Sequence, residues 1–85
     1  MKLLLFKTNI DNLSDQKKVI KNFHTEEKVI KCTFQQHENF TMMFVYGTPK
    51  LSVREVMEIM EDFEYHCQYF KQYNSDAITH ETAAL

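Results

Sequence analysis

The sequence predicts an α+β, ferredoxin-like fold in the order βαββαβ. Its four-stranded antiparallel sheet would have strand order 4-1-3-2, with two helices on one face. Three observations predict it. Four short segments carry apolar residues in alternation or in brief runs, the mark of strands. Two further segments carry them at helical spacing, i, i+1, i+4 in the first and i, i+3, i+4 in the second. The segments interleave as a split βαβ plan, and 85 residues suffice for one core of that kind.

The first strand reads from Lys2 to Ile10. Alternation sets Leu4, Phe6, Thr8 and Ile10 on one face and Leu3, Leu5, Lys7 and Asn9 on the other. The first set ends beside the start of the first helix, so it is the core face. The turn Thr8 to Asp15 converts strand into helix. Asn12 is the N-cap candidate, with Asp15 three positions on in a capping-box-like arrangement. The helix, about Leu13 to His24, buries Val19, Ile20 and Phe23 and exposes Lys17, Lys18 and Lys21.

Val29 to Gln35 reads as the second strand, with Ile30, Cys32 and Phe34 on one face and Val29, Lys31 and Thr33 on the other. Gln36 to Asn39 is a hairpin loop. Phe40 to Tyr46 is the third strand, apolar enough for a central position. Gly47-Thr48-Pro49 breaks it. Ser52 with Glu55 is a capping box for the second helix, Leu51 staples onto Val56, and Val53, Val56, Met57, Met60 and Phe63 form its apolar stripe. Tyr65 to Phe70 is the fourth strand. The domain is set at residues 1–71, and the polar stretch 72–85 is expected to lack fixed structure.

Composition bounds the function. A chain with 44% hydrophobic and 26% charged residues is an ordinary globular domain. Its net charge of -2 and pI near 6.0 argue against a nucleic-acid surface, which needs clustered cations. RNA stacking on Phe44-Val45-Tyr46 is the reading a split-βαβ sheet suggests, but the flanking Lys, Arg and Gly residues are absent. Leu3 to Phe6 is too short for a membrane span or a leader, so the expected compartment is cytoplasmic. Cys32 and Cys67 fall on opposite edge strands, too far apart for a disulfide, and reduced thiols fit that compartment.

With the element order and Phe6-Lys7-Thr8-Asn9-Ile10 in hand, the chain resembles the heavy-metal-associated domains, the copper-chaperone-like modules also found at the front of metal-transporting ATPases. Their site is an apolar residue, a spacer and Cys-x-x-Cys at the junction of first strand and first helix. In this resemblance Ile10 takes the apolar position, Asp11 the spacer, and Asn12 and Asp15 the two cysteine positions. Val19, Val29 and Ser52 match an apolar helix position, the start of strand two and the opening of helix two. Tyr65 and Cys67 resemble the fourth-strand pattern in which an aromatic leans over the metal loop. The resemblance spans Met1 to Lys71. It implies the fold. It does not carry the activity, because Asn12 and Asp15 supply no thiolate and cannot hold Cu(I).

Other candidates have plainer roles. His66 and Cys67 are adjacent on a strand and point to opposite faces, so they cannot chelate together. Cys67, Cys32, Met42, Met43, Met57 and Met60 lie in apolar stripes and read as core. Glu58, Glu61 and Asp62 read as a solvated helix face. No nucleophile–base pair or phosphate loop stands out, so neither an enzyme nor a cofactor is expected.

Leu3 and Leu5 are the more suggestive residues. They fall on the sheet face away from the helices, joined by Met43 and Val45 or by Met42, Phe44 and Tyr46, depending on the register of the third strand. Apolar groups on an uncovered face point to an interaction surface for a protein partner or a second copy. The expected function is therefore a non-enzymatic binding module. The alternative is a metal-binding accessory protein that recruits Cys67, Cys32 or a histidine.

Overall fold

Two central strands with side chains buried on both faces set the architecture. The computed structural model describes residues 1–74. They form β1 (Lys2–Thr8), α1 (Leu13–Phe23), β2 (Val29–Gln36), β3 (Thr41–Gly47), α2 (Val53–Glu61) and β4 (Cys67–Tyr73). The sheet is four-stranded and antiparallel in the order β2-β3-β1-β4, the predicted order seen from the other edge.

The β1–β3 register answers the question that the third strand leaves open. Leu3 pairs with Tyr46, Leu5 with Phe44 and Lys7 with Met42, while Leu4 pairs with Val45 and Phe6 with Met43. Directly paired residues share a face. Leu4, Phe6, Met43 and Val45 therefore lie under the helices, in a core with Ile10, Val19, Phe23, Leu51, Val56 and Met60. Leu3, Leu5 and Met42 form a second cluster on the other face.

The helix ends follow their local signals. Asn12 caps α1, its side chain accepting from the Asp15 amide. Ser52 and Glu55 complete the capping box of α2, and Leu51 and Val56 are both fully buried at the staple. Lys28 ties the β2 entry to this cap through an ion pair of 2.7 Å with Glu55. Gly47 allows the close pass between the β3 exit and the turn after it. A Cβ there would come within 2.8 Å of the Lys28 carbonyl and would also collide with the Leu51 side chain.

Four expectations need correction. β1 ends at Thr8, and Ile10 enters the core from the turn beyond it. In β2 the register slips between Val29 and Lys31, so Val29 packs on the core and Ile30 is 54% exposed. A bulge places two residues opposite one, and simple alternation fails across it. β4 starts at Cys67, because the His66 amide donates to the Asn9 side chain instead of the ladder. It also continues past Phe70: Gln72 and Tyr73 pair with Leu4 and Leu3, so the sheet takes in the first residues of the polar stretch. The expectation for residues 75–85 lies outside the described residues. Among those described, no helix is long and apolar enough to cross a membrane.

Candidate functional site

The turn between β1 and α1 lies at the sheet end where β2 leaves and β4 enters. Its polar groups are used locally. The Asn12 Oδ1 accepts from the Asp15 amide at 2.8 Å, and its Nδ2 donates to Asp15 Oδ2 at 2.6 Å. The Tyr65 hydroxyl, donating to the same carboxylate, holds Asp15 below its ordinary range, with the Asn12 amide as the second cause. Burial opposes the shift and does not overcome it. Tyr65 is steadied by stacking on Phe63, with centroids 5.7 Å apart.

Around this trio the backbone is pinned from four sides. The Thr8 hydroxyl accepts from Ile10 N at 3.2 Å and donates to the Thr41 carbonyl at 2.9 Å. Gln16 Nε2 donates to the Ile10 carbonyl at 3.0 Å, and Asn9 Oδ1 accepts from His66 N at 2.9 Å. Asn12 and Asp15 thus bond to each other.

The two thiols lie elsewhere. Cys32 is on β2 and Cys67 on β4, the opposite edges of the sheet, and both are free. Burial pushes the Cys32 thiol up to about 12 and the Cys67 thiol up to about 11, so both are protonated near neutrality. Cys67 does have sulfur neighbours. A small cleft of about 100 Å³ between α2 and β4 is lined by Met57, Met60, Phe63, Tyr65 and Cys67. A second cleft of about 170 Å³ is lined by Asn9, Asp11, Gln36, Glu38 and Thr41. The buried Thr41 hydroxyl finds no partner among the described residues. No group of three His, Cys, Asp or Glu side chains among the described residues is placed to hold a metal ion.

No family model, curated protein or solved structure matches the chain. The fold and the side-chain geometry therefore carry the functional argument.

The face of the sheet away from the helices is the other candidate. Leu3 and Leu5, expected to lie exposed there, are only 6% and 8% exposed. Phe40, Phe44, Tyr46 and Tyr73 pack around them and Met42. The leucines are thus the floor of the surface, and the aromatic side chains form its upper layer. Lysines complete it. The Lys7 ammonium lies 5.1 Å from the Phe40 ring and 4.8 Å from the Phe70 ring, Lys31 4.6 Å from Tyr46, and Lys71 5.0 Å from Tyr73. Sequence reasoning found the floor and missed the lysines. Lys7 is in phase with Leu3 and Leu5 along β1, and that was the available signal. Lys71 could not be placed without knowing that β4 continues and carries a bulge opposite Leu5 and Phe6.

Proposed function

We propose that this chain is a non-enzymatic binding module of heavy-metal-associated descent, acting through protein contacts made by the open face of its sheet. The observation that carries the reading is the layered open face, with Leu3, Leu5 and Met42 beneath partly exposed aromatic rings and lysine heads. Such a mixture of aromatic groups over an apolar floor is what protein interfaces use as energetic anchors. The ancestry is supported by the βαββαβ order and by Tyr65 over the turn. In this reading the turn has become a helix cap, because Asn12 and Asp15 satisfy each other.

A photo-crosslinker introduced at Phe44, on the open face, and at Glu58, on the exposed side of α2, tests the contact surface. Protein adducts are expected from position 44 and not from position 58. The reverse pattern refutes the reading. The ancestry has its own test. Asn12→Cys with Asp15→Cys should confer soft-metal binding if the turn has kept its geometry, and failure to gain it counts against descent.

A second reading keeps a metal. The sulfurs of Met57, Met60 and Cys67 belong to side chains lining one cleft, and thioether and thiolate ligands suit Cu(I). The protonated state of Cys67 weighs against it, since metal must displace that proton. Native mass spectrometry of the reduced protein with Cu(I) and a competing chelator decides. The first reading expects no more retention than by a surface-thiol control. A 1:1 complex lost in Cys67→Ser supports the second.

A further inference from the structure

The charges of this protein are segregated in a way that the net value hides. The four strands contain Lys2, Lys7, Lys31 and Lys71 and not one Asp or Glu. The ten acidic residues among those described all lie outside them. Lys2 is spent on the Leu51 carbonyl, at 2.8 Å. The other three stand over aromatic rings on the open face. Among the described residues none of the three forms a salt bridge. A ring face attracts an ammonium but accepts no proton from it, so the lysine's hydrogen-bond donors remain for water or for an incoming anion.

From this we infer that the open face docks an acidic segment of a partner protein, one carrying carboxylates beside apolar side chains. The inference rests on the open-face reading above and names the chemistry of its partner. Carboxylates would meet Lys7, Lys31 and Lys71, and the apolar groups would lie on the rings of Phe44, Tyr46 and Phe70. Phe70 is 49% exposed, which leaves apolar area for a partner to cover.

Two other occupants fit less well. A second copy packed through the same face would set like charges against each other, since an isologous contact repeats every lysine on both sides. A single-stranded nucleic acid needs free ring faces for its bases. Here Tyr46 and Tyr73 each carry a lysine at about 5 Å, Phe40 is stacked on His37 at 4.8 Å, and stacking a base would first displace these groups.

The test uses the full chain, isotope-labelled for amide spectra. It is titrated with a short peptide alternating Glu and Phe, with the same peptide carrying Lys for Glu, and with a thymidine oligonucleotide. Sedimentation is run in parallel. The acidic peptide is expected to shift amide signals of all four strands, those around Lys31 on β2 included, and to weaken as salt rises. Combined Lys7→Gln, Lys31→Gln and Lys71→Gln should loosen it by roughly tenfold. Unchanged amide spectra away from the three sites verify that this variant is folded. The single variant Lys31→Gln, at an exposed position, gives a smaller loss by the same readout if the triple variant is not folded. Tighter binding of the basic peptide on the same face overturns the acidic partner and leaves the docking face standing. Shifts confined to the helices, or no binding, overturn both. Saturable oligonucleotide binding tighter than that of the acidic peptide, or a dimer closed through this face, replaces the partner by the occupant found.

Discussion

Replacing Leu3 and Leu5 together by lysine distinguishes a floor from a surface. At 6% and 8% exposure each leucine has surrendered nearly all its contact with water. Burial of a leucine side chain is worth about 1.5–3 kcal/mol, so the pair contributes roughly 3–6 kcal/mol. That figure is an upper range, because a denatured chain already hides some apolar area. Lysine regains part of it by laying its stem along the aromatic rim and lifting its ammonium to water, which the open face permits. A loss of about 3 kcal/mol is the expected outcome. For a chain of this size, total stability is about 4–13 kcal/mol at typical per-residue values. With a urea dependence of about 1 kcal/mol per molar for a small domain, the midpoint should fall by roughly 2–3 M.

The assay is urea denaturation followed by far-ultraviolet circular dichroism, with Thr33→Lys as the control. Thr33 lies on the same face, opposite Phe44, and is exposed, so its replacement adds the charge without removing the floor. Its midpoint should stay within the range of ordinary surface changes, about 0.5 kcal/mol. If the double variant unfolds no earlier than Thr33→Lys, the two leucines are surface residues and the layered description of this face is wrong.

Asn12→Ala should cost about 0.5–2 kcal/mol in the same assay while Asn12→Asp is nearly neutral, since either polar side chain can cap α1. Gly47→Ala should destabilise by about 1–3 kcal/mol, because its Cβ meets the rigid Lys28 carbonyl as well as Leu51; an unchanged midpoint would mean that the turn yields freely. Tyr65→Phe should let the Asp15 carboxyl titrate closer to its ordinary value in a carbon-detected NMR titration. The folded value is depressed, so the stability linked to Asp15 is present above its unfolded pKa and is lost as pH falls through the folded one; Tyr65→Phe should flatten that part of the pH–stability profile. Cys32 should react with a disulfide reagent at pH 8 more slowly than Cys67, and both much more slowly than in urea. The raised folded values also mean that stability declines as pH climbs past the unfolded thiol range near 9.

Most of the fold was legible because β1 and both helices carry unambiguous periods. Leu4, Phe6 and Thr8 alternate with Leu3, Leu5 and Lys7, and each set lies on the face assigned to it. The run Met42-Met43-Phe44-Val45-Tyr46 has no such contrast, so its register had to come from the pairing of Leu3 with Tyr46. Ile30 was misplaced because a bulge leaves no fixed mark in one sequence. The exposure of Leu3 and Leu5 was misjudged for a different reason. A face without helices was equated with a face open to water, whereas the larger side chains of Phe44, Tyr46 and Tyr73 close over short leucines on central strands. At the turn, the Asn12 cap was readable from local spacing, while the Tyr65 hydroxyl on Asp15 joins residues fifty positions apart.

Net charge is a sum over surfaces, and a partner meets one surface at a time. The value of -2 made an anionic partner look disfavoured. Yet screening confines exposed charges to interactions over roughly 8–10 Å at ordinary ionic strength. The sheet and the acidic side of α2 belong to different layers of the molecule, so a ligand on the open face responds chiefly to Lys7, Lys31 and Lys71. Glu58, Glu61 and Asp62 then act on its approach more than on its bound state. If that separation holds, raising salt should weaken the acidic peptide mainly through these three lysines. Replacing Glu58 and Glu61 by Gln should barely alter its affinity. A large gain in affinity from those two changes would show that the layers are electrostatically coupled, and the net charge would have been the right quantity after all.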